Sequence, residues 1–330
     1  MSDINRHHLC RRALIRAGAA TYLTGLNPAW GATLSQAADE DSQDAQLAAR
    51  TTAANQMTVG VLINGQGPYQ FVVDTAAEQS VISTELVSLL ALTAGRDVMV
   101  KGINGLVPAS TARIGKLTLG PFAHRDLTLP VLPRALLKAD GFLGLDVING
   151  TRVTFDFRKR TLRVEAPRYA SQRIYAPDIT RVKAYGSAGH LRISDCRIDR
   201  VLASAIIDTG AEVSIGNTAL RDALLNKNGK LSEMGAVTLS GVTGGELTAP
   251  TIRVARLRMQ ELTFSDAAIA IADVPVFDSW RLQNKPALLV GMDFLRQFAV
   301  VSIDYRAQEI RFELADAPPN PRPEVQIEKA

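Results

Sequence analysis

An apolar, strand-like run ending in an aspartate turn occurs twice in this chain of 330 residues, and the segments after each run recur in the same order. QFVVDTAAEQSVIS (70–83) is matched by SAIIDTGAEVSIGN (204–217). A Gly-rich segment comes next, GINGLVPAS (102–110) and then GVTGGELTA (241–249). The third landmark is an apolar pair before Gly-x-Asp, FLGLDVI (142–148) and LVGMDFL (289–295). Each copy closes on strand, turn and strand, VTFDFRKRTLRVE (153–165) and VSIDYRAQEIRFE (301–313). The spacing between copies grows from 134 residues (74 to 208) to 148 residues (156 to 304), as it does when loops lengthen while order is kept. An internal repeat of this kind governs the fold assignment.

Each copy reads as β-rich. Only 5% of residues are aromatic, while β-branched residues are plentiful in short runs between explicit turns. Asn64-Gly65 and Asn104-Gly105 are hairpin signals, because a type I′ turn needs positive φ at both central residues. Met57, Val59 and Val61 alternate with Thr58, Gly60 and Leu62, the period of a half-buried strand. One helix per copy is expected after the aspartate turn, capped by Ser83 or Asn217. The chain therefore reads as all-β, with two pseudo-symmetric barrel lobes and a few short helices. The expected divisions are a lobe over 55–165, a linker over 166–187 and a lobe over 188–314. A flexible lead-in (38–54) and a disordered Pro-rich tail (315–330) flank them.

The N-terminus reads as an address. Residues 1–37 carry Arg6, Arg11, Arg12 and Arg16 against Asp3 alone, so they hold most of the net charge of +4. The rest is nearly neutral, which argues against nucleic acid as a partner. The paired arginines before a modestly apolar stretch, Ala17 to Trp30, resemble a bacterial twin-arginine export signal. Small residues at Ala29 and Gly31, or at Ser35 and Ala37, offer a cleavage site. A basic tail with an incidental arginine pair is the alternative. No apolar run reaches the roughly 18–20 residues of a spanning helix, so the expectation is an exported protein, periplasmic or secreted, held at the membrane only if the signal is uncleaved. Two cysteines and four scattered histidines do not suggest a metal site.

An aspartate directly after a buried strand is unusual, because burying a lone carboxylate is costly. Two such residues at matching positions of related lobes, Asp74 and Asp208, meet across a two-fold axis if the lobes pair. Like charges a few Å apart cannot both ionise, so the pair shares one proton. One carboxylate is then a base toward water and the other an acid toward a carbonyl oxygen. That chemistry requires no cofactor.

Asp208-Thr209-Gly210-Ala211, preceded by Ala205-Ile206-Ile207, resembles the active-site turn of the retropepsin-like aspartic proteases. Leu289-Val290-Gly291 and Phe142-Leu143-Gly144 are similar to the apolar-apolar-Gly element that supports the turn in that family. The resemblance covers roughly 57–165 and 188–313. It implies an endopeptidase acting on peptide or protein substrates, built as two fused units in one monomeric chain, with Asp74 and Asp208 as the catalytic pair. Thr75, Ala76, Thr209, Gly210, Gly144 and Gly291 would support the turns. Two hairpins, Gly102, Ile103, Asn104 and Gly105, and Gly241, Val242, Thr243, Gly244 and Gly245, would be flaps over the substrate. The first turn departs from the family in carrying Ala76 where the second has Gly210. Glu78 and Glu212 stand where many relatives have a small polar residue or Asp. A non-catalytic peptide-binding module and a structural exported β-protein are the alternative readings. Among the other polar residues, Asp146 and Asp293 read as helix N-caps. Asp156 and Asp304 read as strand residues paired with arginines, Arg158-Lys159-Arg160 as a hairpin turn, and His124 and His190 as surface residues.

Overall fold

The computed structural model describes residues 44–48, 50–51, 57–103, 105–166, 179–186 and 189–314. The expected signal and tail lie outside these residues, as does Asn104. Three sheets organise the described residues, and a separate two-stranded hairpin stands apart from them.

In the first half, strands Met57–Ile63, Gln66–Val73, Gly141–Leu143, Val81–Ser83, Phe122–Leu132 and Thr111–Leu119 succeed one another around a sheet. Pairing of Leu62 and Ile63 with Thr118 and Leu117 closes it into a six-stranded barrel. The second half repeats this with Arg192–Ile198, Val201–Ile207, Ala287–Val290, Ile215–Gly216, Leu262–Ile271 and Glu246–Met259, closed by Cys196 against Met259. Alternation explains the filling. Met57, Val59, Val61 and Ile63 point inward, joined by Phe71, Ile114, Leu117 and Leu129. The Asn64-Gly65 turn has φ of 51° and 82°, as a type I′ hairpin requires.

The helices start where their caps stand. Ser83 accepts from Leu86 N–H at 3.2 Å to open Thr84–Leu89, and Asn217 accepts from Leu220 N–H at 2.9 Å to open Thr218–Asn228. Asn217 is fully buried because its amide also donates to Leu282 O and Lys285 O.

A six-stranded sheet joins the lobes. Its centre pairs Arg152–Asp156 of the first half with Phe298–Asp304 of the second. Arg152 Nε and Nη2 both donate to Asp304 Oδ2, at 2.9 and 2.7 Å, and Thr154 and Ser302 share a hydroxyl contact of 2.9 Å. Asp304 thus takes the expected arginine, while Asp156 Oδ1 accepts from Lys159 N–H at the 157–160 turn. The stretch expected to be a lead-in contributes strand Asp44–Ala48, which pairs with Thr161–Glu165 at one edge. The stretch expected to be a linker contributes Ile179–Lys183, which pairs with Glu309–Leu314 at the other. Among the described residues no helix is long and apolar enough to cross a membrane.

Candidate active site

Each aspartate is delivered by a strand wedged in a barrel wall. Gln66–Val73 runs parallel to Gly141–Leu143, and Asp74 N–H donates to Leu143 O at 2.9 Å as the chain leaves the sheet. Val201–Ile207 runs parallel to Ala287–Val290, and Asp208 N–H donates to Val290 O at 3.0 Å. The apolar pair before each Gly-x-Asp therefore forms the rail along which the aspartate strand is held.

The two turns then lock together. Thr75 Oγ1 donates to Ile207 O at 2.8 Å and Thr209 Oγ1 donates to Val73 O at 2.6 Å. Thr75 N–H donates to Thr209 Oγ1 at 3.2 Å, and Thr209 N–H to Thr75 Oγ1 at 3.1 Å. Both threonines are buried, and every bond has its counterpart on the other side. This reciprocity is a local two-fold axis, and it brings the aspartates of two chain halves into one site.

Each carboxylate is oriented by its own turn. Asp74 Oδ1 accepts from Ala76 and Ala77 N–H, both at 3.0 Å, and Asp208 Oδ1 accepts from Gly210 and Ala211 N–H at 2.9 and 3.0 Å. Those bonds favour the charged form, yet burial outweighs them and raises both carboxyls above the ordinary range. For Asp208 the charge of Asp74 acts in the same direction as burial. The pair thus holds a proton at pH values where free carboxyls have lost theirs. Ala76 is buried and is not among the residues of positive φ, so alanine is accommodated in the turn without backbone strain.

Behind each turn stands a support that sequence reading identified only in part. A Cβ on Gly144 would meet Gln79 C and Ala77 O at 2.7 and 2.8 Å, and one on Gly291 would meet Val213 C at 2.8 Å. Both glycines are therefore required for close backbone approach. Their N–H groups donate to Ser80 Oγ and Ser214 Oγ, each at 2.9 Å. Those hydroxyls donate in turn to Asp146 Oδ1 and Asp293 Oδ1, at 2.6 and 2.7 Å. Asp146 and Asp293 are accordingly not N-caps. The cap positions are Gly144 and Gly291, and the aspartates reach back from the first helical turn to fix the two serines. Ser80 and Ser214 were missed, although each stands six residues after its aspartate in both copies.

The flaps cross between lobes. Val98–Gly102 pairs with Gly105–Ala109, and Gly102 opposite Gly105 closes this hairpin around Ile103, one residue earlier than the expected turn. The second flap, Ser232–Ser240 against the start of Glu246–Met259, turns through Gly241 to Gly245, with φ of 83° at Gly244 and 81° at Gly245. The Thr243 side chain sits on the Cα of Gly102, and the Ile103 side chain sits on the Cα of Gly241. Ile103 joins an apolar patch of the second lobe that includes Ile206, Leu239, Phe277 and Leu289. Val242 joins the equivalent patch of the first lobe, around Val72, Val81, Leu132 and Phe142. Lys101 Nζ also donates to Ser279 Oγ at 3.1 Å. The tip of each hairpin therefore reaches over the half it does not belong to.

The histidines are less exposed than expected. His190 packs on Trp280, with ring centroids 4.6 Å apart, and its Nε2 lies 4.0 Å from Glu78 Oε1, so it ties the second lobe to the first aspartate turn. His124 Nε2 is buried without a partner, and burial lowers its pKa. Among the described residues no group of three or more His, Cys, Asp or Glu is placed to hold a metal ion.

A family model described as aspartyl protease matches residues 59–147 and 192–294, once in each half of the chain. Among curated proteins, no relative matches the sequence.

Proposed function

The chain belongs to the aspartyl protease family, and from that premise we propose that it is an aspartic-type endopeptidase hydrolysing peptide bonds in extended peptide or protein substrates. The observation that supports this reading is the reciprocal Thr75–Thr209 lock between the two aspartate turns. A shared proton gives the pair a base for water and an acid for the scissile carbonyl. The substrate lies between flaps and aspartates as an added strand, held by main-chain hydrogen bonds, with side chains in alternating pockets. The apolar patches beneath Val242 and Ile103 favour apolar side chains near the cleaved bond.

One observation favours a second reading. Ala76 adds a methyl beside the pair where the other turn has glycine, which fits a peptide-binding module of low or no turnover. The paired arginines at 11 and 12 support export to the periplasm or beyond, and a monomer with pseudo-dimeric lobes is the matching assembly. Replacing Arg11 and Arg12 by Lys traps precursor in the cytoplasm on this reading; normal export of that variant refutes it.

Incubation of the purified protein with a diverse peptide library, from about pH 3 to about pH 7 and with or without a statine-type transition-state mimic, tests the activity. Cleavage blocked by the mimic supports the endopeptidase. Binding of extended peptides without cleavage at any pH supports the binding module instead.

A further inference from the structure

The two aspartate turns are near copies, but only one carries a side chain on its third residue. A Cβ added at Gly210 would stand 2.5 Å from Asp74 Oδ2 and 2.6 Å from Asp74 Cγ. The Asp74 carboxyl therefore rests on the bare Cα of the opposite turn. Gly210 is not among the glycines of positive φ, so this position demands space and not backbone freedom. The reciprocal threonine bonds and the matching carboxylate-to-amide bonds relate the turns by a local two-fold axis. That axis sets the Asp208 carboxyl against residue 76, which is alanine.

A methyl cannot share the separation that glycine permits. The Asp208 carboxyl must stand off from it, and the methyl fills space from which water would otherwise solvate the carboxyl. Asp74, which faces glycine, is the more exposed of the two aspartates, and Asp208 is 9% exposed.

We infer that Ala76 polarises the pair: its methyl dries the Asp208 carboxyl, which holds the shared proton, and leaves Asp74 as the carboxylate that receives a proton from water. The chemistry rests on the endopeptidase reading. Asp74 takes one proton of water as the water oxygen bonds to the scissile carbon, and Asp208 gives its proton to the carbonyl oxygen. In the second step Asp74 passes its proton to the amide nitrogen as the C–N bond breaks. Asp208 regains a proton from one hydroxyl of the tetrahedral intermediate, and both carboxyls return to their starting states. Ala76 gives up and takes no proton in these steps and acts only by positioning and drying. Burial raises both carboxyls above the ordinary carboxylate range.

The test needs no turnover. The full chain is labelled with 13Cγ-aspartate and titrated by NMR from about pH 3 to about pH 9, with Asp74→Asn and Asp208→Asn assigning the signals. Asp208 is expected to titrate at the higher pH in the wild type. Ala76→Gly should bring the two midpoints closer by roughly one pH unit. Moving the methyl, with Ala76→Gly and Gly210→Ala together, should reverse the order. Asp74 titrating last in the wild type, or an order that survives the methyl transfer, overturns the inference. If the double variant does not fold, midpoints unmoved in Ala76→Gly overturn it equally. The expected order in a chain that cuts no peptide would sink the endopeptidase and leave the proton assignment standing. Cleavage with the opposite order would sink the assignment alone.

Discussion

Thr243 of the second flap sits on the Cα of Gly102 in the first, so the two roofs of the cleft are closed on each other by a contact only glycine allows. Gly102→Ala places a methyl where the Thr243 side chain now lies. Overpacking of this kind costs about 1–3 kcal/mol, and here the flaps relieve it by separating. Calorimetry should show a statine-type mimic binding roughly five- to a hundredfold more weakly, with thermal stability little changed. Unaltered affinity would mean that the flaps do not meet in the bound state.

Asp208→Asn should abolish peptide cleavage, since an amide neither holds the shared proton nor passes it on, and general acid–base catalysis alone contributes about 10²–10⁴-fold. Asp74→Asn should be equally damaging. The double variant should be scarcely worse than either, because groups acting as one unit are not additive. Persistent cleavage in both single variants would point to another site or a contaminant.

The pair should also make the fold less stable as pH rises. Its carboxyls are raised above their ordinary value of 3.8, so the native state keeps a proton that the unfolded chain releases. That contribution is complete below about pH 3.8 and is lost as pH rises through the folded-state titration of the pair. Asp208→Asn removes one of the two raised carboxyls. Its melting temperature should therefore gain on the wild type between about pH 4 and pH 8, and parallel melting curves across that range would contradict this.

Ser214→Ala should destabilise the second lobe. It leaves the Gly291 N–H without its acceptor and takes the hydroxyl donor from Asp293. A buried group left unpaired costs about 1–3 kcal/mol. Urea denaturation should show that loss for Ser214→Ala and a similar one for Ser80→Ala. A loss below about 0.5 kcal/mol would mean that solvent replaces the hydroxyl.

The lobes and the aspartate turns were legible in the sequence because both depend on local pattern repeated at matching places. Apolar strands ending in Asp-Thr-x-Ala and the Gly-x-Asp elements carry their signal within a few residues. The strands at 44–48 and 179–183 were not legible. Neither has a clear alternation of its own, and each exists because a distant edge, Thr161–Glu165 or Glu309–Leu314, accepts it. Asp146 and Asp293 were misread for a related reason. Near a helix start a carboxylate suits either a cap or a long-range tether, and only the position of Ser80 or Ser214, about 66–79 residues away, decides between them. The crossing of each flap to the opposite lobe is likewise a property of the assembled halves.

A dimer of identical chains is obliged to carry the same residue at both of its two-fold-related turns. Two alanines would press a methyl on each carboxyl, and two glycines would leave the carboxyls equivalent. Joining the halves covalently removes that obligation, so Ala76 and Gly210 can differ while the surrounding threonine lock stays symmetric. The duplicated chain can therefore inherit one difference on one side only, and selection can act on each half of the site independently.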